Sequence, residues 1–199
     1  MPRVISGSSG GIVLLAPDGK GTRPTSDRVK EALFSILAPR LPNARVLDLF
    51  AGTGQLAIEA LSRGADHATL VDSDRAAVAR IRQNLDRTRL ADRATVLPTT
   101  VRGALDLLAR EGRTFDLVFL DPPYALAIDT FRDAAVGLER AGLLSRDALV
   151  VLEHDAKSAA EAHVINLQRV RSCKYGNTML TFYSGLPGGN PQGSGLGTD

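Results

Sequence analysis

Tryptophan is missing from the 199 residues, cysteine occurs once, and aromatic side chains make up only 5%. A single thiol, Cys173, cannot close an internal disulfide, so a reducing, cytoplasmic setting is expected. Without tryptophan, any stacking on a planar ligand falls to phenylalanine or tyrosine. Long apolar runs are also missing. The longest, such as Ala148 to Leu152, fall far short of the roughly 20 residues that cross a bilayer, so no membrane role is expected. The N-terminus lacks the basic-then-apolar layout of a secretory signal. Nor is there a surplus of one charge: 24 basic against 22 acidic residues leave +2, which excludes a polybasic, histone-like protein. What the chain does have is 44% hydrophobic residues, enough for the core of one globular domain. Its charge is unevenly placed. Residues 1–45 hold seven basic side chains (Arg3, Lys20, Arg23, Arg28, Lys30, Arg40, Arg45) against three acidic ones, making the front of the chain a candidate phosphate-facing surface.

The glycine- and serine-rich stretch Ser6 to Gly11, between short apolar pieces of Val4 to Leu15, suits a loose hairpin or mobile loop. Thr25 or Ser26 can cap a helix, with Asp27 favouring its positive end. Val29, Ala32, Leu33, Ile36 and Leu37 then form one apolar helical face, which Pro39 and Pro42 stop. From Arg45 onward, short apolar runs alternate with longer helical-period segments, the sequence form of a parallel sheet covered by helices. Strands are expected at Val46 to Leu49, Ala68 to Val71, Ala94 to Leu97, Leu117 to Leu120 and Leu149 to Leu152. Helices are expected at Leu56 to Arg63, Arg75 to Arg87, Val101 to Arg110 and Ile128 to Ala141. Ala162 to Gln168 and Thr178 to Tyr183 suit a closing hairpin turning at Tyr175-Gly176-Asn177. After Ser184 the composition is that of a flexible tail.

Two constellations carry chemistry. In the first, Asp48-Leu49-Phe50-Ala51-Gly52-Thr53-Gly54 runs from a buried strand into a helix. Glycines without Cβ let the chain turn and a ligand approach, and the helix start offers free N–H groups. Asp72 closes the next strand, placed to accept hydrogen bonds from two ribose hydroxyls, while Asp74 suits a helix cap. The bland alternative is a ligand-free glycine turn. Gly52-x-Gly54-x-x-Ala57 also fits a dinucleotide fingerprint, but Asp48 would repel a pyrophosphate and could hold an ammonium, which favours S-adenosylmethionine.

In the second, Asp121-Pro122-Pro123-Tyr124 follows the fourth strand, at the same sheet edge. Consecutive prolines fix the backbone and remove two donors, leaving carbonyls and the Asp121 carboxylate to receive hydrogen bonds from an amino group. Tyr124 offers a ring for a planar base. Acceptors that bind both amine hydrogens favour a pyramidal nitrogen and stabilise the charge that develops on it. A purely structural turn is the alternative. His67, His154 and His163 are not at metal-ligand spacing with Cys173, and no metal is expected. Glu153-His154 reads first as structural and second as part of the site's rim, and the arginines from Arg80 to Arg89 read as a solvated helix face.

Over nearly all of residues 3–183 the chain resembles the bacterial 16S ribosomal RNA guanine-N2 methyltransferases of the RsmD family. The resemblance rests on Arg3-Val4-Ile5-Ser6-Gly7, on Gly21 to Phe34, on Asp48 to Gly54 with Glu59 to Ala65, on Asp121 to Tyr124, and on Tyr175-Gly176-Asn177-Thr178. It implies a Rossmann-like class I methyltransferase of α/β class, with a mostly parallel seven-stranded sheet, helices on both faces and a short N-terminal hairpin and helix. Residues 1–42 would be the extension, 43–184 the methyltransferase domain and 185–199 a flexible tail. The implied cofactor is S-adenosylmethionine, the implied partner 16S rRNA or the small ribosomal subunit, and a monomer is expected. Asp121, Pro122, Pro123 and Tyr124 would hold the target amine and base. Asp48, Gly52, Gly54, Asp72 and Thr25 would serve the cofactor, and Arg3, Arg23 and Arg28 the RNA. The chain departs from the family where Ser8 to Val13 carry no charge, at Arg102-Gly103 near the adenine position, and at Asn177, which replaces an acid. An N6-adenine DNA methyltransferase, a nicotinamide-dependent oxidoreductase and a non-catalytic RNA-binding relative are the competing readings.

Overall fold

A computed structural model describes residues 2–16, 27–123 and 127–185. Arg23, Thr25, Tyr124 and the tail from residue 186 onward lie outside the described residues. Each expected helix is present, as α1 (Asp27–Leu37), α2 (Gln55–Ser62), α3 (Arg75–Thr88), α4 (Val101–Arg110) and α5 (Ala127–Arg140). The strands are β1 (Arg45–Asp48), β2 (His67–Val71), β3 (Ala94–Leu97), β4 (Phe115–Leu120), β5 (Leu144–Asp155), β6 (His163–Val164), β7 (Leu167–Tyr175) and β8 (Thr178–Gly185). They form one sheet in the order β3-β2-β1-β4-β5-β8-β7-β6. Pairing is parallel from β3 through β5 and antiparallel from β5 outward.

The sheet has eight strands where seven were expected. The difference lies at the edge. Ala162 to Gln168 is not one strand: Val164 pairs with Leu167 across a two-residue turn, and Ile165 takes a positive φ of 52° there. The long partner of β8 is β7 instead, joined to it through Gly176-Asn177, with Gly176 at φ 61° as the hairpin turn requires. Gly185, expected in the tail, closes β8.

Strand alternation explains the near-continuous apolar runs. Val46, Leu117, Phe119 and Val151 face α1, α2 and α3, whereas Leu47, Val118, Leu120, Val150 and Leu152 face α4 and α5. The sheet is thus covered on both sides. Phe34 of α1 lies 5.9 Å from Phe119, ring centre to ring centre, which seats the N-terminal helix against the strand that leads into Asp121. Burying one such ring contributes about 1.5–3 kcal/mol.

The first segment is held by more than a loose hairpin. Arg3 and Val13 form an antiparallel bridge, and Val4 and Leu14, each 1% exposed, join the core of the α1–α3 face. Among the described residues no helix is long and apolar enough to cross a membrane.

Candidate active site

The loop after β1 is tied to the ends of both neighbouring strands. Leu49 N–H donates to the Phe119 carbonyl of β4 (3.1 Å), Ala51 N–H to the Val71 carbonyl of β2 (3.0 Å), and Gly52 N–H to Asp72 Oδ2 (2.9 Å). Gly52 and Gly54 have φ of 55° and 79°, in the left-handed region, and Gly54 stands at the N-cap of α2. A Cβ added at Gly52 would meet open space, so a ligand can approach the backbone there.

Asp48 ends β1 beneath this loop and is 1% exposed. Burial pushes its carboxyl up to about 7, with the Phe50 and Ala57 amides pulling the other way and Asp72 adding to the rise. Asp48 Oδ1 has no hydrogen-bond partner among the described residues, and neither has Gln55 Oε1, at the first position of α2. Two buried acceptors therefore bracket the glycine loop with nothing to accept from. Leaving such atoms unsatisfied costs about 1–3 kcal/mol each, which a donor-rich ligand would recover. Gln55 escaped the sequence reading because a polar residue at a helix start looks like solvent surface.

Asp72 sits one strand over. Its Oδ1 accepts from Asp74 N–H and its Oδ2 from Gly52 N–H, both at 2.9 Å, which aims the carboxylate across the loop with lone pairs to spare. Asp74 caps α3 by accepting from Ala76 N–H, as expected.

Asp121 follows β4, which pairs with β1, so the two constellations occupy adjacent strand ends. Asp121 is half-buried, Pro122 buried and Pro123 exposed. Arg3 forms an exposed ion pair with Asp27 (3.0 Å), and Arg28 is exposed on the first turn of α1. Among the described residues, no hydrogen bond or ion pair links either arginine to Asp48 or Asp72.

A second polar cluster escaped the sequence reading. Glu59 of α2, fully buried, accepts from Ile5 N–H (2.7 Å), Ser6 N–H (3.1 Å) and Arg63 Nε (2.7 Å), and lies 3.9 Å from Lys30 Nζ. Lys30, also fully buried, donates to the Arg3 carbonyl, and burial lowers its pKa against the pull of Glu59. Asn84 of α3 donates to Thr53 O (2.9 Å) in the glycine loop and exchanges hydrogen bonds with Leu15 in both directions. No sequence signal separates these residues from ordinary surface positions.

A parallel sheet ordered 3-2-1-4-5 with an antiparallel hairpin, a glycine loop after β1, an acid after β2 and Asp-Pro-Pro after β4 define a class I methyltransferase dependent on S-adenosylmethionine. The residues fit that cofactor: Asp48 and Gln55 offer unpartnered acceptors, Gly52 an open backbone, and Asp72 a carboxylate for ribose. Within this class the chain belongs to the family described as Conserved hypothetical protein 95, the RsmD family, whose model matches residues 2–184. Ribosomal RNA small subunit methyltransferase D of Escherichia coli (strain K12) is 40% identical over 156 residues, 78% of this chain and 76% of that one. YlbH of Bacillus subtilis (strain 168), provisionally named an rRNA methyltransferase, is 38% identical over 181 residues, 91% of this chain and 97% of its own. The solved structure of yhhF from Escherichia coli, provisionally named a methyltransferase, superposes with a TM-score of 0.79 at 35% identity, covering 92% of this chain and 97% of that one.

Proposed function

We propose that the protein methylates the exocyclic N2 amine of a guanine in small-subunit ribosomal RNA. The observation that carries this reading is the adjacency of the two strand ends: β1 and β4 are hydrogen-bonded neighbours, so the Asp48 loop and Asp121-Pro122-Pro123 open onto one edge. The names of the family relatives support ribosomal RNA as the substrate.

S-adenosylmethionine supplies an electrophilic methyl group on a sulfonium. Asp48 and Gln55 would accept from its methionyl end, Gly52 would admit it to the backbone, and Asp72 would hold its ribose hydroxyls. At the acceptor side, Asp121 and the Pro122 carbonyl take hydrogen bonds from the two amine hydrogens. That draws the nitrogen out of conjugation with the ring and aims its lone pair outward. Positive charge grows on nitrogen during transfer, and a carboxylate already at hydrogen-bond distance stabilises it and is placed to accept the departing proton. Pro123 stiffens the turn, and Tyr124 offers its ring to the base. A guanine within folded RNA must be splayed out to reach this edge. Arg3, Arg23 and Arg28 are the candidates for phosphate contacts.

The test is incubation with labelled cofactor and unmethylated small subunits or naked 16S rRNA, followed by digestion and mass analysis. The expected product is N2-methylguanine at one nucleotide; label on a different base or on protein alone refutes the reading.

A further inference from the structure

The last paired rung of β4 and β5 joins Leu120 to Leu152, and the next step along each strand is a carboxylate: Asp121 on one, Glu153 on the other. Neighbouring strands are about 4.8 Å apart, so the two residues stand side by side. Phe119 and Val151 pack on the α1–α3 side and Leu120 and Leu152 on the α4–α5 side, so Glu153, still within β5 and paired with Leu180, returns to the α1–α3 side, while Asp121 is the first residue past β4. Glu153 is only 5% exposed, with apolar Leu180 as its partner on β8.

We propose that Glu153 is a specificity-determining residue, whose carboxylate accepts the ring N1–H of guanine beside the amine held at Asp121. The inference rests on the reading of the Asp121 edge as the amine pocket. Three bases carry an exocyclic amine, and only guanine has a hydrogen on the ring nitrogen flanked by the amine-bearing carbon and its carbonyl. Adenine N1 and cytosine N3 present a lone pair at that place. In its ionised form that carboxylate accepts and cannot donate, so it welcomes guanine and opposes the other two, lone pair against lone pair; protonated, it would do the reverse. Its four lone-pair positions allow it to serve a protein donor and the base at once. Sites that pair a buried acceptor with a substrate N–H discriminate strongly against analogues without it.

The experiment replaces the mapped target guanine with 2-aminopurine, which keeps the 2-amine but has a bare N1. The wild-type protein should methylate the guanine substrate about 100-fold more efficiently in kcat/KM. Glu153→Gln keeps an acceptor but loses the charge, and adds an amide that can donate to a bare N1, so it should lose about tenfold on guanine and narrow or invert the preference. S-adenosylhomocysteine binding and the unfolding midpoint of the variant should stay at wild-type values. Equal use of both substrates by the wild type, or a loss in the variant that is the same for both, overturns the proposal. If that variant fails to fold, Glu153→Asp, which keeps the acceptor but shortens its reach, takes its place and should lose more on guanine than on 2-aminopurine. Methylation by the wild type of a base other than guanine refutes the guanine reading itself, and is told apart because it appears before any Glu153 variant is made.

Discussion

Two of the polar clusters buried among the described residues are finished in opposite ways. Glu59 with Lys30, and Asn84 separately, spend their hydrogen bonds within the protein and fasten residues 3–15 to α1, α2 and α3. Around the glycine loop, Asp48 Oδ1 and Gln55 Oε1 are equally buried and have no partner among the described residues. A closed circuit is what a structural joint needs, because an uncompensated buried charge costs several kcal/mol. An open one marks acceptors reserved for something from outside. The third such atom, Thr69 Oγ1, lies within β2.

The contrast can be broken hardest at the reacting edge. Asp121→Ala should lower methyl transfer to rRNA by about 10²–10⁴-fold while leaving S-adenosylhomocysteine affinity near wild type, measured by label incorporation and calorimetry. Equal loss of both would put Asp121 in the cofactor seat. In the closed cluster, Glu59→Ala leaves Lys30 and two backbone amides without their carboxylate, and should destabilise by about 3–5 kcal/mol in denaturant unfolding. Cofactor affinity of the folded fraction should hardly change.

Asp48 sharpens the comparison through pH. Its carboxyl is raised from 3.8 to about 7 in the folded protein, so the native state holds a proton that the unfolded chain releases. The stabilisation is complete below the unfolded value and is lost as pH rises through the folded one. Wild type should therefore lose a few kcal/mol relative to Asp48→Asn between about pH 4 and 7. At pH 8 the variant should be the more stable protein yet bind S-adenosylhomocysteine more weakly. A pH-independent difference would mean that Asp48 is not titrating. The smallest effect is expected at Arg3, whose pair with Asp27 is exposed on both sides. Arg3→Ala should change stability by less than about 1 kcal/mol. An accompanying rise in KM for rRNA would assign the arginine to the substrate, and an unchanged KM would leave it a surface pair.

The same contrast explains what could be read from the sequence. Strands such as Leu117 to Leu120 and helices such as Val101 to Arg110 were legible because burial on two faces or one writes its own period into the chain. The glycine loop and Asp121-Pro122-Pro123 were legible because their chemistry needs particular residue types at contiguous positions. Glu59, Lys30 and Asn84 were not, since on a helix a polar residue reads as solvent-facing until the partner that covers it is known. Here that partner is a segment 53, 27 or 69 residues away in the chain. β6 was missed because its turn places Ile165 at a positive φ, which β-branched side chains disfavour. The pairing of Glu153 with Asp121 depends on the register of β4 against β5, which only the folded sheet defines.

The most direct test of the open edge is a crystal structure with S-adenosylhomocysteine bound. It should find the ligand's amino-acid end at Asp48 and Gln55, its ribose hydroxyls on Asp72 and its sulfur turned toward Asp121. A ligand seated elsewhere, or an Asp121 carboxylate turned away from the sulfur, would contradict the division between closed joint and open site.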